Sequence, residues 1–311
     1  MKMAGLPPLT WDTAVRTWHV APVTDAVLAV AAALYLYRAH RTIPRRGEHW
    51  PLARTASFLG ALVLLAVTVQ SSIDVYGHES FWLHMIEHLL LIMVVPVLVI
   101  LGQPLRLLAD GGLTRLLRSR VVSVITFPLL ALAAYTAVLI GTHLTGFMQS
   151  MATHMWLHEL EIVLYLGSGY LFFLPLLAHE PLARQLSYPL RVCLLFLGMT
   201  VDTVVGVLLM MTTRPQGQYT LSDIHTGGGI MWVVGDGLMF AVTVLVVAQW
   251  MRDTERQNDT GTWLEAARRT TLANMGVDTV DPDSEADIDD DDAALAAYNR
   301  MLAKLNQRDQ H

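Results

Sequence analysis

Seven apolar runs of membrane-crossing length, at 22 to 38, 53 to 71, 82 to 101, 121 to 141, 155 to 177, 190 to 212 and 227 to 250, constrain this chain more than any other feature. A bilayer core about 30 Å thick asks for roughly 20 consecutive apolar residues of helix, and every backbone N–H and C=O inside it has to be paired within its own segment. Helices joined by polar or Arg-rich turns meet both demands. Composition agrees, since 53% of the 311 residues are hydrophobic and only 15% charged, against the roughly 25% charged content of soluble domains. The expectation is an all-α polytopic membrane protein. A bundle of seven transmembrane helices occupies 22–250, after an outer interfacial segment over 1–21 and before a cytoplasmic tail over 251–311. No internal period marks a solenoid.

Basic loops resist translocation, so arginine sets the orientation. Arg38, Arg41, Arg45, Arg46 and Arg54 follow the first run, Arg106, Arg115, Arg118 and Arg120 the third, and Arg184 and Arg191 the fifth; the other three loops hold only Arg214. The N-terminus is therefore expected outside and the C-terminus in the cytoplasm, in a bacterial cytoplasmic membrane. The first run starts late and is followed by Arg38 to Arg46, which reads as a stop-transfer signal rather than a cleaved leader. Trp11 and Trp18 suit the membrane interface. Residues 278 to 292 hold eight Asp and one Glu without a basic residue; outside that run, 21 basic groups face the remaining 18 acidic ones. Such a block reads as a solvated spacer. Beyond it, Leu295, Tyr298, Leu302 and Leu305 fall at helical spacing, as in a short amphipathic helix that docks on a partner or on the protein's own surface. Nucleic acid is not an expected partner.

Ionisable residues inside apolar spans are the candidates for chemistry. His84, Glu87 and His88 open the third run, and His154, His158 and Glu161 open the fifth; both runs enter from the outer side. At 100° per residue the first three share an arc, and the second three make a narrower stripe. Asp74, His78, His143, Asp223 and His225 complete an outer polar layer that holds seven of the twelve histidines. A shared metal ion supplies the partner that buried imidazoles need; for any one histidine taken alone, a hydrogen-bonded structural role is the alternative. Glu87 and Glu161 are expected to orient the imidazoles from behind rather than to bind the ion. Met148, Met151 and Met155, with Met85, Met210 and Met211, add thioethers at the same level. Imidazole with thioether suits copper, Cu(I) in particular, although each methionine alone also serves as packing filler. The lone Cys193 excludes a thiolate trap and a disulfide. Asp202 and Asp236, near mid-membrane, suit a proton relay or helix–helix hydrogen bonding. Gly227, Gly228, Gly229, Gly235 and Gly237 suit close helix approach or irregular backbone.

The stretches HMIEHLLL at 84–91, THMWLHELE at 153–161 and DIHTGGGIMWVVGD at 223–236, set in a seven-span layout, resemble the seven-helix CtaG family of cytochrome c oxidase assembly proteins, over about residues 10 to 250. The resemblance implies a non-enzyme that helps deliver copper to the oxidase, with oxidase subunits or a copper carrier as partners. It nominates His84, His88, His154 and His158, then His143 and His225, as metal-binding positions. The unrelated single-span copper chaperone of the same name uses paired cysteines, which this chain lacks. A membrane-bound di-iron or haem oxidoreductase using the same histidines is the alternative, and the two glutamates speak for di-iron. A transporter using Asp202 and Asp236 is a third reading. A retinal receptor is excluded, because the only lysines are Lys2 and Lys304.

Overall fold

Prolines and extended residues set the helix boundaries. A proline in the first turn lacks only an N–H that would be unpaired there anyway, and its fixed φ suits the helix; Pro22, Pro128 and Pro189 stand at such positions. The computed structural model describes residues 6–42, 49–108, 111–151, 154, 156–177, 186–216, 218–274, 295–296 and 298–300. Among them there is helix and no strand.

In chain order the helices are α1 (Trp11–Arg16), α2 (Pro22–Tyr37, continued by a π-helical turn Arg38–Thr42), α3 (Leu52–Gln70), α4 (Ser72–Gly77) and α5 (Phe81–Leu89). A π-helical segment Leu90–Val94 leads from α5 into α6 (Val95–Leu101). Then come α7 (Pro104–Leu108), α8 (Gly111–Leu117), α9 (Arg120–Ile125), α10 (Pro128–His143), α11 (Phe147–Met151), α12 (Trp156–Leu177), α13 (Tyr188–Met211) and α14 (Leu221–Asn274). Chain contacts divide the protein into Met1–Val246 and Val247–His311. In the second unit Arg268 lies 5.3 Å from the centroid of the Tyr298 ring. The acidic run 278–292 and most of the expected terminal amphipathic helix lie outside the described residues.

Among the described residues, six segments are long and apolar enough to cross a membrane: Pro22–Arg41, Leu52–Gln70, Phe81–Leu101, Trp156–Leu177, Tyr188–Met211 and Leu221–Glu255. The expected span over 121–141 is not one helix. It breaks between α9 and α10, where Phe127 is extended at φ −65°, ψ 125°, because the residue before a proline is pushed out of the helical region. What remains is the 16-residue α10, about 24 Å of helix against a core of about 30 Å.

Phe81–Leu101 is the central segment: 72% of an 18-residue stretch of it is buried inside the protein, against 11% for the same length of the peripheral Pro22–Arg41. It packs on α3 and α12; α12 packs on α10, and α10 on α13. Phe81, Met85, Leu89, Leu91, Ile92 and Met93 from the central segment join Tyr165, Phe172 and Phe173 of α12 in the main apolar core. A bilayer removes the hydrophobic drive between helices, so close approach and internal hydrogen bonds hold them together. Gly206 of α13 and Gly228 of α14 meet backbone to backbone: a Cβ on either would stand 2.9 Å or 2.8 Å from the other's carbonyl oxygen. Asp202, fully buried, accepts from the Tyr135 hydroxyl at 3.0 and 3.1 Å and so joins α13 to α10. Asp236 accepts from Thr203 at 3.1 and 2.9 Å and joins α14 to α13. Both acids are thus engaged in helix–helix bonds.

Gly169 of α12 lets that helix lie directly on the π-helical segment. A Cβ there would stand 2.7 Å from the Ile92 carbonyl carbon and closer still to its oxygen, whereas one at Gly167 would meet nothing within 4 Å. Gly169→Ala is therefore expected to destabilise the detergent-purified protein by about 1–3 kcal/mol. Gly167→Ala, in open space, should be neutral or stabilising by up to about 1 kcal/mol. Thermal melting of the two variants side by side checks the difference; equal midpoints would contradict the packing.

Candidate metal centre

The N-terminal turns of α5 and α12 carry the site, and three features place them. Ser71 caps α4 by accepting from the Ile73 N–H, which sets the short helix bearing Asp74. Its last residue is Gly77, where a Cβ would stand 3.3 Å from Glu87 Oε2. The start of α5 is capped from α14: Asp223 accepts from the Phe81 N–H at 2.5 Å and from the Trp82 N–H at 3.4 Å, and Ser80 Oγ lies 3.4 Å from the same carboxylate. An anionic cap suits the exposed N–H groups and positive end of a helix. Just before α14, Tyr219 donates to Gly77 O at 2.9 Å and the Gln218 amide donates to His78 O. Residues 218–223 therefore strap the 77–82 turn in place. Burial, with the neighbouring Glu161, Glu87 and Asp223 carboxylates, holds the Tyr219 hydroxyl above the ordinary tyrosine range, so it stays a donor.

On α5, His84, Glu87 and His88 project to one side, with the two imidazole centroids 4.0 Å apart. His158 and Glu161 of α12 meet them. Glu161 lies 3.7 Å from His84 Nε2, 3.4 Å from His88 Nε2 and 3.8 Å from His158 Nδ1. Glu87 lies 3.8 Å from His84 Nδ1 and, with its other oxygen, 3.8 Å from His158 Nε2. His158 Nε2 also lies 2.9 Å from Asp74 Oδ1, and its ring meets the ring of His78 at 4.7 Å. The donors fall into two groups whose atoms all lie within 4.8 Å of one another: Asp74, His78 and His158, and His84, His88 and Glu161.

Most of these atoms lack hydrogen bonds. His84 Nδ1 and Nε2, both oxygens of Glu87 and of Glu161, His88 Nε2 and His158 Nδ1 are buried without a hydrogen-bond partner, eight of the eleven such side-chain atoms among the described residues. Each unpaired buried polar atom costs about 1–3 kcal/mol, more when charged. At separations of 3.4 to 3.8 Å, none of these pairs has the geometry of a hydrogen bond. They suit joint ligation, because two donors each about 2.1 Å from one tetrahedral ion stand about 3.4 Å apart. A cation between them would relieve what the protein alone leaves open.

His143 stands behind His88 rather than beside Glu161. His143 Nδ1 lies 3.0 Å from the Leu139 carbonyl and 3.0 Å from Thr142 Oγ1, while its Nε2 lies 3.2 Å from His88 Nδ1. A carbonyl only accepts, which assigns the Nδ1 proton of His143 to it; His143 Nε2 then accepts from His88 Nδ1–H, and His88 is left with an Nε2 lone pair facing Glu161. Tyr165 stacks on His88 with centroids 4.2 Å apart, and its hydroxyl lies 2.7 Å from Thr142 Oγ1. This is the backing that metal-bound imidazoles ordinarily have.

Two other expected positions lie elsewhere. The stripe of His154, His158 and Glu161 does not form, because α12 begins only at Trp156; His154 precedes it, exposed, with Nδ1 3.2 Å from Ser150 O. His225 is turned to the Thr212 carbonyl at 2.9 Å, linking the end of α13 to α14. Met155 lies outside the described residues, Met85 and Met148 are buried in the apolar core, and Met151 packs against it. Among the described residues the converging donors are thus imidazole and carboxylate. Glu161 stands among them directly, not behind them, and Asp74 and His78 join from α4 and its end. The sequence places both in the outer polar layer, and their i, i+4 spacing, the same as that of His84 and His88, is the signal that could have nominated them as donors. His78 is less buried than its two partners. Burial and then the neighbouring His158 hold its imidazole below the ordinary histidine range against the pull of Asp74, which favours the neutral, metal-ligating form.

A sequence model of the family described as cytochrome c oxidase caa3 assembly factor matches residues 33–253. Uncharacterised proteins of Mycobacterium bovis and Mycobacterium tuberculosis are each 30% identical over 96% of this chain and 46% of their own length. One from Mycobacterium leprae is 28% identical over 85% of this chain and 41% of its own length. The chain thus spans less than half the length of these relatives. No solved structure matches it.

Removing the cap that α14 lends to α5, in Asp223→Ala, is expected to destabilise the protein by about 1 kcal/mol, read as a lower melting midpoint than that of Ser222→Ala. His143→Leu should leave every converging donor in place yet lower affinity for a divalent metal about 10- to 100-fold, measured by competition with a chromophoric chelator; an unchanged affinity would contradict the role assigned to His143.

Proposed function

Because the chain belongs to the cytochrome c oxidase caa3 assembly factor family, we propose that it is an oxidase assembly factor, not an enzyme, that handles copper at the outer face of a bacterial cytoplasmic membrane. The observation that carries the copper reading is the set of eight buried, unpaired donor atoms gathered at one end of the helices. Imidazole and carboxylate suit Cu(II) better than Cu(I), so the ion is held as Cu(II), as cargo. The donors for it come from the cluster of Asp74, His78, His84, His88, His158 and Glu161, Glu87 and His143 orient the imidazoles, and an oxidase subunit or a copper carrier exchanges it.

The seventh span of the bundle is α10, shorter than the rest and lodged between α12 and α13. With the arginine-rich loops cytoplasmic and the N-terminus outside, the starts of α5 and α12 open on the non-cytoplasmic side. Segment 1–21 then lies at that interface, 22–250 forms the membrane domain, and 251–311 is the cytoplasmic tail. A second reading, a di-iron oxidoreductase, draws on one observation: Asp74, Glu87 and Glu161 supply three carboxylates to the cluster, and di-iron sites take several.

Detergent-purified protein loaded with copper should lose most bound metal in the His84→Ala, His158→Ala double variant while its helical signal persists; unchanged copper content overturns the assignment. In a deletion strain, oxidase activity of membranes should fall and recover in part with added copper. Iron as the principal metal in the protein as isolated, or oxidation of a substrate by the protein alone, would install the second reading instead.

A further inference from the structure

The two donor groups differ in how far their atoms are paired within the protein. In the outer group, Asp74 and His158 satisfy each other through a 2.9 Å hydrogen bond, and the second oxygen of Asp74 lies 3.5 Å from Nδ1 of His19, whose side chain is 45% exposed. His78, the third member, is the least buried of the three. This group is paired within itself except at Nδ1 of His158 and has solvent-facing imidazoles beside it. The inner group is not so paired. His84, His88 and Glu161 are 0%, 4% and 1% exposed, and both nitrogens of His84, Nε2 of His88 and both oxygens of Glu161 have no hydrogen-bond partner. An ion leaving the inner group exposes five unpaired polar atoms to an apolar interior, whereas one leaving the outer group restores a hydrogen bond.

His158 and the two glutamates stand between the groups. His158 presents Nε2 to Asp74 and Glu87 and Nδ1 to Glu161. Glu161 in turn faces His84 and His88, and Glu87 faces His84 with one oxygen and His158 with the other. Two cations held on either side of such carboxylates are screened from each other, because the carboxylate charge lies between them.

We infer that the cluster is a two-ion site of unequal stations: a resident divalent ion held by His84, His88 and Glu161, and an exchangeable one held by Asp74, His78 and His158, with Glu87 between them. The inference rests on the metal-handling reading and assigns its cargo to the outer station. The inner ion completes the fold of the α5–α12 contact and sets the position of Glu161, against which the outer station is built. The outer ion is the one a partner takes, by way of His78 and the His19 side.

Full-length protein in detergent is saturated with Cu(II), and copper per chain is measured before and after dialysis against a chelator of moderate strength. The unaltered protein should hold two ions and keep one. Asp74→Asn with His78→Ala should hold one before and after dialysis. His88→Ala with Glu161→Gln should lose the chelator-resistant ion. Where the first double variant melts early, His78→Gln alone, at the less buried position, should show the same loss of the exchangeable ion. Saturation at one ion per chain overturns the two-station arrangement and leaves metal handling intact, whereas no bound copper sinks both. Two ions that leave together, or loss of the resistant ion in a folded outer-station variant, overturns the division into resident and exchangeable.

Discussion

Imidazole and carboxylate side chains packed against one another inside an apolar bundle have only each other to satisfy them. In this protein they do so incompletely: the distances among His84, His88, Glu87, His158 and Glu161 are those of groups converging on something between them, not of groups bonded to one another. Burial of this kind is tolerated only when a partner removes the desolvation penalty. The helices that carry these side chains are the most buried of the described membrane-length segments, so their placement has consequences well beyond the site.

That placement depends on contacts outside the cluster. The 218–223 strap caps α5 and ties down the 77–82 turn, fixing the angle at which His84 and His88 enter. One helical level deeper, the π-helical segment Leu90–Val94 and Gly169 let α12 approach the central segment backbone to side. π-Helical insertions gather at functional sites, where they re-aim side chains; this one directly follows the turns that bear the donors. Below it, Tyr135 with Asp202 and Thr203 with Asp236 fasten α10, α13 and α14. Asp202 and Asp236 thereby serve the framework on which the site is mounted.

Several features of the site were legible in the chain. The spacing of His84, Glu87 and His88, and of His158 and Glu161, placed them on matched helical faces, and the structure brings those faces together. The close approach expected of Gly227 and Gly228 is met, Gly227 against Phe81 and Met85 and Gly228 against Gly206. What misled was a helix start. His154 reads as one turn before His158 only if the helix already exists there, and an apolar run does not mark the residue at which α12 begins. The break before Pro128 was visible as a proline, but a continuous apolar run masked it. Methionines near the histidines in sequence suggested a soft site, yet Met85 and Met148 turn into the core, because neighbouring residues on a helix point about 100° apart.

The sequence by itself determined the apolar, membrane-crossing character of the helices, the helical class and the two helices that carry the ionisable groups, because each follows from local hydropathy and helical period. Only the tertiary structure decided which groups meet. Asp74 and His78 entering from α4, Glu161 standing between imidazoles, and His143 backing His88 are all contacts between separate elements. Their formation depends on the strap, on the glycine approaches and on where each helix begins, none of which a periodicity along one segment encodes.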